Sequence, residues 1–192
     1  MANFDVLINR MLRSGVKPNT NAAREWFRKK IRETRVNRQK LLSDSNRSSS
    51  TPTIGRMYCY SYNPKHAKTL PYYDEFPLIF VVERFSGGFL GINLHYVPPR
   101  TRIILMEALT DIANNKKYDE TTRLMLSYRA LKQLSKFNVV KPCIKKYLFS
   151  QVRSKFVKID ANEWDLAIFL PVQKFKKAAP STVWSQSALK SR

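Results

Sequence analysis

Apolar residues recur at helical spacing near the start of the chain, where Phe4, Leu7, Ile8, Met11 and Leu12 share one face and predict an amphipathic helix over 3–13. Gly15 and Pro18 end it. A second helix is predicted from Asn19 or Thr20, either of which can cap it; its narrow apolar stripe is Ala23, Trp26, Phe27, Ile31 and Thr34. From 57 to 62 the period falls to two. Met57, Cys59 and Ser61 alternate with Tyr58, Tyr60 and Tyr62, which predicts a strand with aromatic rings on one face, ended by Pro64. Residues 70–77 read as a rigid aromatic loop. A buried strand over 78–83, a turn at Ser86-Gly87-Gly88 and a return strand over 89–96 predict a hairpin, since glycine supplies the positive φ of a tight turn.

Pro98-Pro99 breaks the strand pattern, and helices are predicted over 100–113 and 120–137. Ile103, Ile104, Met106, Leu109 and Ile112 form the apolar side of the first; Leu124, Leu126, Tyr128, Leu131 and Leu134 form that of the second. Pro142 precedes a predicted short helix bearing Ile144, Tyr147 and Leu148. Two last strands are predicted over 154–159 and 164–172, joined by the turn Asp160-Ala161-Asn162-Glu163. The expected fold is α+β: a small antiparallel sheet of the SH3-like, partly open barrel type with packed helices.

Residues 43–54 are rich in Ser and Thr and read as a flexible linker. They divide a basic helical arm, 1–42, from a core domain, 55–177, followed by a basic tail, 178–192, with Trp184 as a candidate anchor. With 43% hydrophobic and 12% aromatic residues the chain can bury a real core. No apolar stretch approaches the roughly 18 residues of a membrane span. The opening residues carry neither a basic nor an apolar leader region, so no signal peptide and no membrane partner are expected.

Charge changes the picture most. Thirty-five Lys and Arg face fourteen Asp and Glu, a net of +21. Like charges repel in a compact state, so an external polyanion is expected, with nucleic acid foremost. The second helix and its continuation carry Arg24, Arg28, Lys29, Lys30, Arg32, Arg35, Arg38 and Lys40, interrupted only by Glu25 and Glu33. A later cluster comprises Lys141, Lys145, Lys146, Arg153, Lys155 and Lys158. These two groups are the candidate DNA-binding residues, because phosphate contacts need only cations within reach of the backbone. Tyr147 and Phe149 interleave with the lysines; core packing is the favoured reading for them, and stacking on exposed bases at a DNA end the alternative. Arg100 and Arg102 open a helix, where cations oppose the dipole, and so suggest an external anion or an acidic partner.

Catalytic signatures are missing. The chain has no GxxxxGK[ST] loop, GxSxG elbow, HExxH or CxxC pair. The glycines at 87, 88 and 91 read as a hairpin. Cys59 and Cys143 are expected to stay reduced, and with His66 and His95 as the only histidines no zinc site is expected. An enzymatic reading would use His95 with Asp74 or Glu75 for general-base or metal chemistry, with Glu83 nearby. On a strand, Asn93 and His95 would share a face. A hydrogen-bonded structural histidine is the favoured reading, and no catalytic residue, metal or cofactor is expected.

Gly55-Arg56-Met57-Tyr58, Leu70-Pro71-Tyr72-Tyr73-Asp74 with Phe76-Pro77, and Gly88-Phe89-Leu90-Gly91-Ile92-Asn93-Leu94-His95-Tyr96 with Pro98-Pro99 carry a family resemblance. So do Lys145-Lys146-Tyr147-Leu148, Val152-Arg153-Ser154-Lys155-Phe156, Trp164 and Phe169-Leu170-Pro171. Together they resemble the DNA end protector or head-completion proteins of large contractile-tailed bacteriophages, over roughly residues 55–177. The resemblance implies a minor virion component at the end of the packaged genome, near the portal or head–tail junction. It implies that the protein shields the DNA terminus from host exonuclease, gripping the phosphate backbone without sequence preference. It also implies contacts with other virion proteins, a ring or other homo-oligomer, and a passage through the host cytoplasm during assembly. One alternative is a tail, neck or baseplate assembly protein acting only through protein contacts. Another is a metal-dependent nuclease that trims DNA ends.

Overall fold

The computed structural model describes residues 3–17, 20–31, 33, 37–113, 115 and 117–190. Three helices come first: α1 (Asn3–Arg13), α2 (Asn21–Lys30) and α3 (Arg38–Leu42). Thr20 caps α2 by accepting the Ala23 N–H at 3.1 Å, as its place before the apolar stripe predicts. Asn37 caps α3 in the same way through the Lys40 N–H. Leu7, Met11, Ala23, Phe27, Ile31 and Leu41 are all buried in the main core, so the arm lies against the rest of the molecule.

The segment read as a linker touches the sheet and its flanking turns at several points. A 3-10 turn, Ser45–Arg47, leads into β1 (Ser48–Ser49). Arg47 Nη1 lies 2.5 Å from Glu163 Oε2, and the Thr53 N–H donates to the Tyr58 hydroxyl at 3.1 Å.

The strands that follow are β2 (Met57–Cys59), β3 (Tyr73–Asp74), β4 (Leu78–Phe85) and β5 (Gly88–Asn93). Gly87, at φ 82°, makes the turn between β4 and β5. A Cβ on Gly88 would sit 2.2 Å from the Tyr147 carbonyl oxygen, so only glycine permits the neighbouring strand to approach there. The strand predicted over 89–96 stops at Asn93, whose side chain accepts the His95 N–H and turns the chain into a 3-10 segment, Leu94–Tyr96. Helices α4 (Pro99–Ala113) and α5 (Glu120–Leu134) follow.

Two expectations are corrected beyond this point. Residues expected as a short helix after Pro142 form β6 (Ile144–Leu148), paired antiparallel to β5 from Gly88↔Leu148 to Ile92↔Ile144. The run is too short for periodicity to decide, and pairing satisfies the outer edge of β5. After β7 (Phe156–Ile159), the strand expected over 164–172 is replaced by α6 (Trp164–Ala167) and turns. Glu163 reaches back to accept the Asp160 N–H at 3.0 Å, which starts the helical turn, and Trp164 to Ala167 are buried all round. A run buried on every side shows no helical period. The chain ends with β8 (Phe175–Lys176) and α7 (Pro180–Leu189).

The main sheet is antiparallel in the order β1-β7-β2-β4-β5-β6; β3 and β8 form a separate ribbon. Alternation along β2 assigns its faces. Met57 and Cys59 join Phe80 and Ile92 in the core under the helices. Tyr58, Tyr60 and Tyr62 join Ile79, Val81, Phe89, Tyr147 and Phe156 in an aromatic cluster on the other face. Rings from β5, β6 and β7 all lie within 6.0 Å of Tyr60. The sheet therefore curls around Tyr60 but does not close into a barrel. Cys59 and Cys143 are buried free thiols, pushed by burial to about 12 and about 11.

Candidate nucleic-acid interface

The expected cations separate into those that serve the fold and those that face outward. Arg24 is 8% exposed. It donates through Nε to Asp165 Oδ1 at 3.2 Å and through Nη1 to Glu107 Oε1 at 2.6 Å and Asn21 Oδ1 at 2.9 Å. Arg38 donates to the Val172 and Gln173 carbonyls. Lys30 pairs with Glu33 and Lys158 with Asp160, both at 2.8 Å. Arg28, Lys29, Lys40, Lys141, Lys146, Arg153 and Lys155 are exposed, and Lys145 is half-buried. Arg32 and Arg35 lie outside the described residues.

Folding brings Arg28 to a cleft of about 870 Å³ between α2 and the start of α4, where Arg100 and Arg102 also sit. The first turn of α4 contains no acidic residue, so its free N–H groups and the arginines present the same sign of charge. Glu25 is the carboxylate on the rim; it stands 3.6 Å from Arg28 with both side chains largely exposed. Arg102 is 7% exposed. Its guanidinium is held by the Val97 carbonyl at 3.0 Å and, at longer range, by the Ile168 and His95 carbonyls and Gln173 Oε1. Among the described residues Nε has no partner, and no carboxylate pairs with the group. Burial therefore drops its pKa to about 10 despite the Asp74 charge nearby, and the floor of the cleft holds a cation bonded to neutral oxygens. A neighbouring hollow adds Lys29 and Trp26 beside Arg28.

The second expected cluster divides at β6. Lys145 points to the tyrosine side of the sheet, its Nζ 4.2 Å from the centre of the Tyr96 ring. Burial, with Lys190 as a like-charged neighbour, lowers it to about 8. Lys146, one residue on, turns its ammonium over Phe85 at 4.7 Å. A pocket of about 300 Å³ opens beside Lys145, walled by Tyr62, Tyr72, Tyr73, Tyr96 and Tyr147 with Lys190 at its edge. Lys190 and the Tyr72–Tyr73 wall escaped sequence reasoning because their neighbours are distant in the chain. Tyr147, favoured as core, is 4% exposed and stacks on Phe89 with centroids 5.4 Å apart.

His95 and Asp74 do meet. His95 Nδ1 lies 2.7 Å from Asp74 Oδ2, and since a carboxylate only accepts, Nδ1 carries the proton. Asp74 also accepts from Asn93 Nδ2 at 3.1 Å and from the Phe76 N–H at 3.1 Å. Both side chains are sealed, at 2% and 1% exposure, and burial lowers the histidine pKa despite the carboxylate beside it. The network joins β5, β3 and, through Asn93 to the Tyr147 hydroxyl, β6. Among the described residues no three His, Cys, Asp or Glu side chains cluster as a metal site, and no helix is long and apolar enough to cross a membrane.

The family model described as phage T4 terminal DNA protecting protein matches residues 2–187. The match runs through the N-terminal helices as well as the region 55–177 where the motif resemblance lies. No curated protein and no solved structure matches the chain.

Proposed function

The chain belongs to the phage T4 terminal DNA protecting protein family, and on that premise we propose that it binds the end of a packaged phage genome and shields it from exonuclease. The grip is electrostatic and indifferent to sequence: cations neutralise phosphates, which carry no sequence information. The observation that carries this reading is the division of the charges. The acids of the fold engage Arg24, Lys30, Lys158 and Lys174, while Arg28, though 3.6 Å from Glu25, stays exposed with Lys29, Lys40, Lys141, Lys146, Arg153 and Lys155. We assign the phosphate track to Arg28, Lys29, Arg100 and the α4 cleft, continued by the exposed lysines near β6. In the virion the protein works near the portal or head–tail junction, against other virion proteins and in more than one copy.

Binding to an open-ended linear duplex across a salt series tests it. A protein that contacts six phosphates weakens about 10³-fold between roughly 50 and 200 mM salt. Replacing Arg28 and Lys29 by alanine should make the log–log slope shallower by about one for each phosphate no longer neutralised. A flat salt response, or no protection of the linear duplex from exonuclease, would overturn the proposal and leave its charge to be met by acidic virion neighbours.

A further inference from the structure

The tyrosine pocket beside β6 has a chemistry the phosphate track does not need. Its walls are ring faces. Tyr96 and Tyr72 stand 6.0 Å apart and tilted by 39°, and Tyr73 is half-buried beside them. The hydroxyls of Tyr62 and Tyr147 are already taken, by the Leu148 N–H at 3.2 Å and by Asn93 Nδ2 at 3.0 Å. The rim is stiff: Pro64 and Pro71 restrict the loop, and Lys177 Nζ donates to the Lys68 and Leu70 carbonyls at 2.7 and 2.9 Å. The Asp74 carboxylate in the wall has both oxygens occupied. Lys145 has no carboxylate partner among the described residues; it faces the Tyr96 ring and the like charge of Lys190.

We propose that this pocket receives the terminal nucleotide of a DNA strand, its base against Tyr72 and its phosphate between Lys145 and Lys190. The inference rests on the DNA-end reading above and adds to it a reason for recognising an end. A cavity of about 300 Å³ takes one nucleotide-sized group and excludes a stacked duplex. Within a duplex a nucleotide leaves the stack only by unpairing between two stacked neighbours. At a terminus it has one neighbour, so it frays into the pocket at less cost. Stacking on an aromatic wall needs no particular base, which suits a protein that meets whatever sequence packaging leaves at the end.

The test compares two DNAs of one sequence: a linear duplex with open ends, and the same duplex closed by hairpin loops at both ends. The full chain should bind the open duplex more tightly. Tyr72→Ala should weaken open-end binding roughly tenfold and leave the closed duplex unchanged. Lys190→Ala, at an exposed position where folding is not at stake, should remove part of the same preference, with a larger effect on ends bearing a 5′ phosphate than on 5′ hydroxyl ends. Wild-type preference that survives both substitutions overturns the pocket while sparing the DNA-end reading. Equal losses on open and closed DNA also overturn it, since the residues would then act on the backbone alone. Wild-type protein that binds neither DNA overturns the DNA-end reading itself.

Discussion

At the scale of single residues, neighbours of identical type do different work. Lys145 and Lys146 are adjacent on β6, yet the pleat sends one toward the tyrosine pocket and the other over Phe85. Burial sets Lys145 to titrate near 8, whereas in the unfolded chain it titrates near the ordinary lysine value of about 10.4. The groups around it are the Cys143 thiol, held up to about 11, the Tyr72, Tyr96 and Tyr147 phenols, all raised by burial, the occupied Asp74 carboxylate and the Lys190 ammonium. Between about pH 8 and 10.4 the unfolded chain therefore holds a proton at this site that the native protein gives up. Native stability from this group rises with pH across that window. Binding of a terminal nucleotide should move the other way, falling as pH passes about 8 and the pocket loses the Lys145 charge. Open-end affinity measured at pH 7 and 9, with Lys145→Arg as a variant that keeps its charge, checks this; a wild-type affinity as flat as the variant's would refute it.

At the scale of elements, the arm shows how a basic helix becomes part of a core. The stripe of Ala23, Phe27 and Ile31 was legible as helix, but the partner of Arg24 was not, because Asp165 lies 141 residues away on α6. Arg24 pairs there with a carboxylate 3% exposed, whose own pKa is raised by burial. Arg24→Ala should cost about 3–5 kcal/mol in urea unfolding by stranding that charge. Arg28→Ala, with the guanidinium outward, should change stability by less than about 0.5 kcal/mol. Equal effects would mean that the arm is not anchored through Arg24. Strand β6 and helix α6 make the complementary point. Both come from short runs that fit either state, and each is decided by what it meets: β6 by the free edge of β5, α6 by the pocket that seats Trp164 edge-on against Phe80 at 4.8 Å.

Across the whole molecule, the charge of +21 acts as a field. Few described carboxylates oppose the outward cations, so self-repulsion strains the free protein. Raising sodium chloride from about 20 to 300 mM shortens the screening length from roughly 20 Å to under 10 Å and should raise Tm by a few degrees. A thermal melt series checks this, and a falling Tm would show that ion pairs outweigh repulsion. Open-ended DNA at a hundred times its Kd should add about 2.7 kcal/mol of stability by binding only the native state. The same scale unites the two expected basic regions. One becomes a cleft at the start of α4 that includes Arg100 and Arg102, whose unfavourable place at a helix N-terminus was the readable sign. Of the other, Lys145 and Lys146 line an aromatic pocket.

By itself the sequence determined the α+β class, the caps, the hairpin and the alternating faces of β2, because each depends on residues within one turn or one pleat of each other. It also determined the net charge of +21, a sum that folding leaves unaltered, and with it the expectation of a polyanion. Tertiary structure alone decided which cations remain outside, that Arg24 and Arg38 serve the fold, and that five tyrosines and three lysines from separate segments line one cavity. Those outcomes hang on contacts between residues far apart in the chain, where burial and the available partner outweigh local preference.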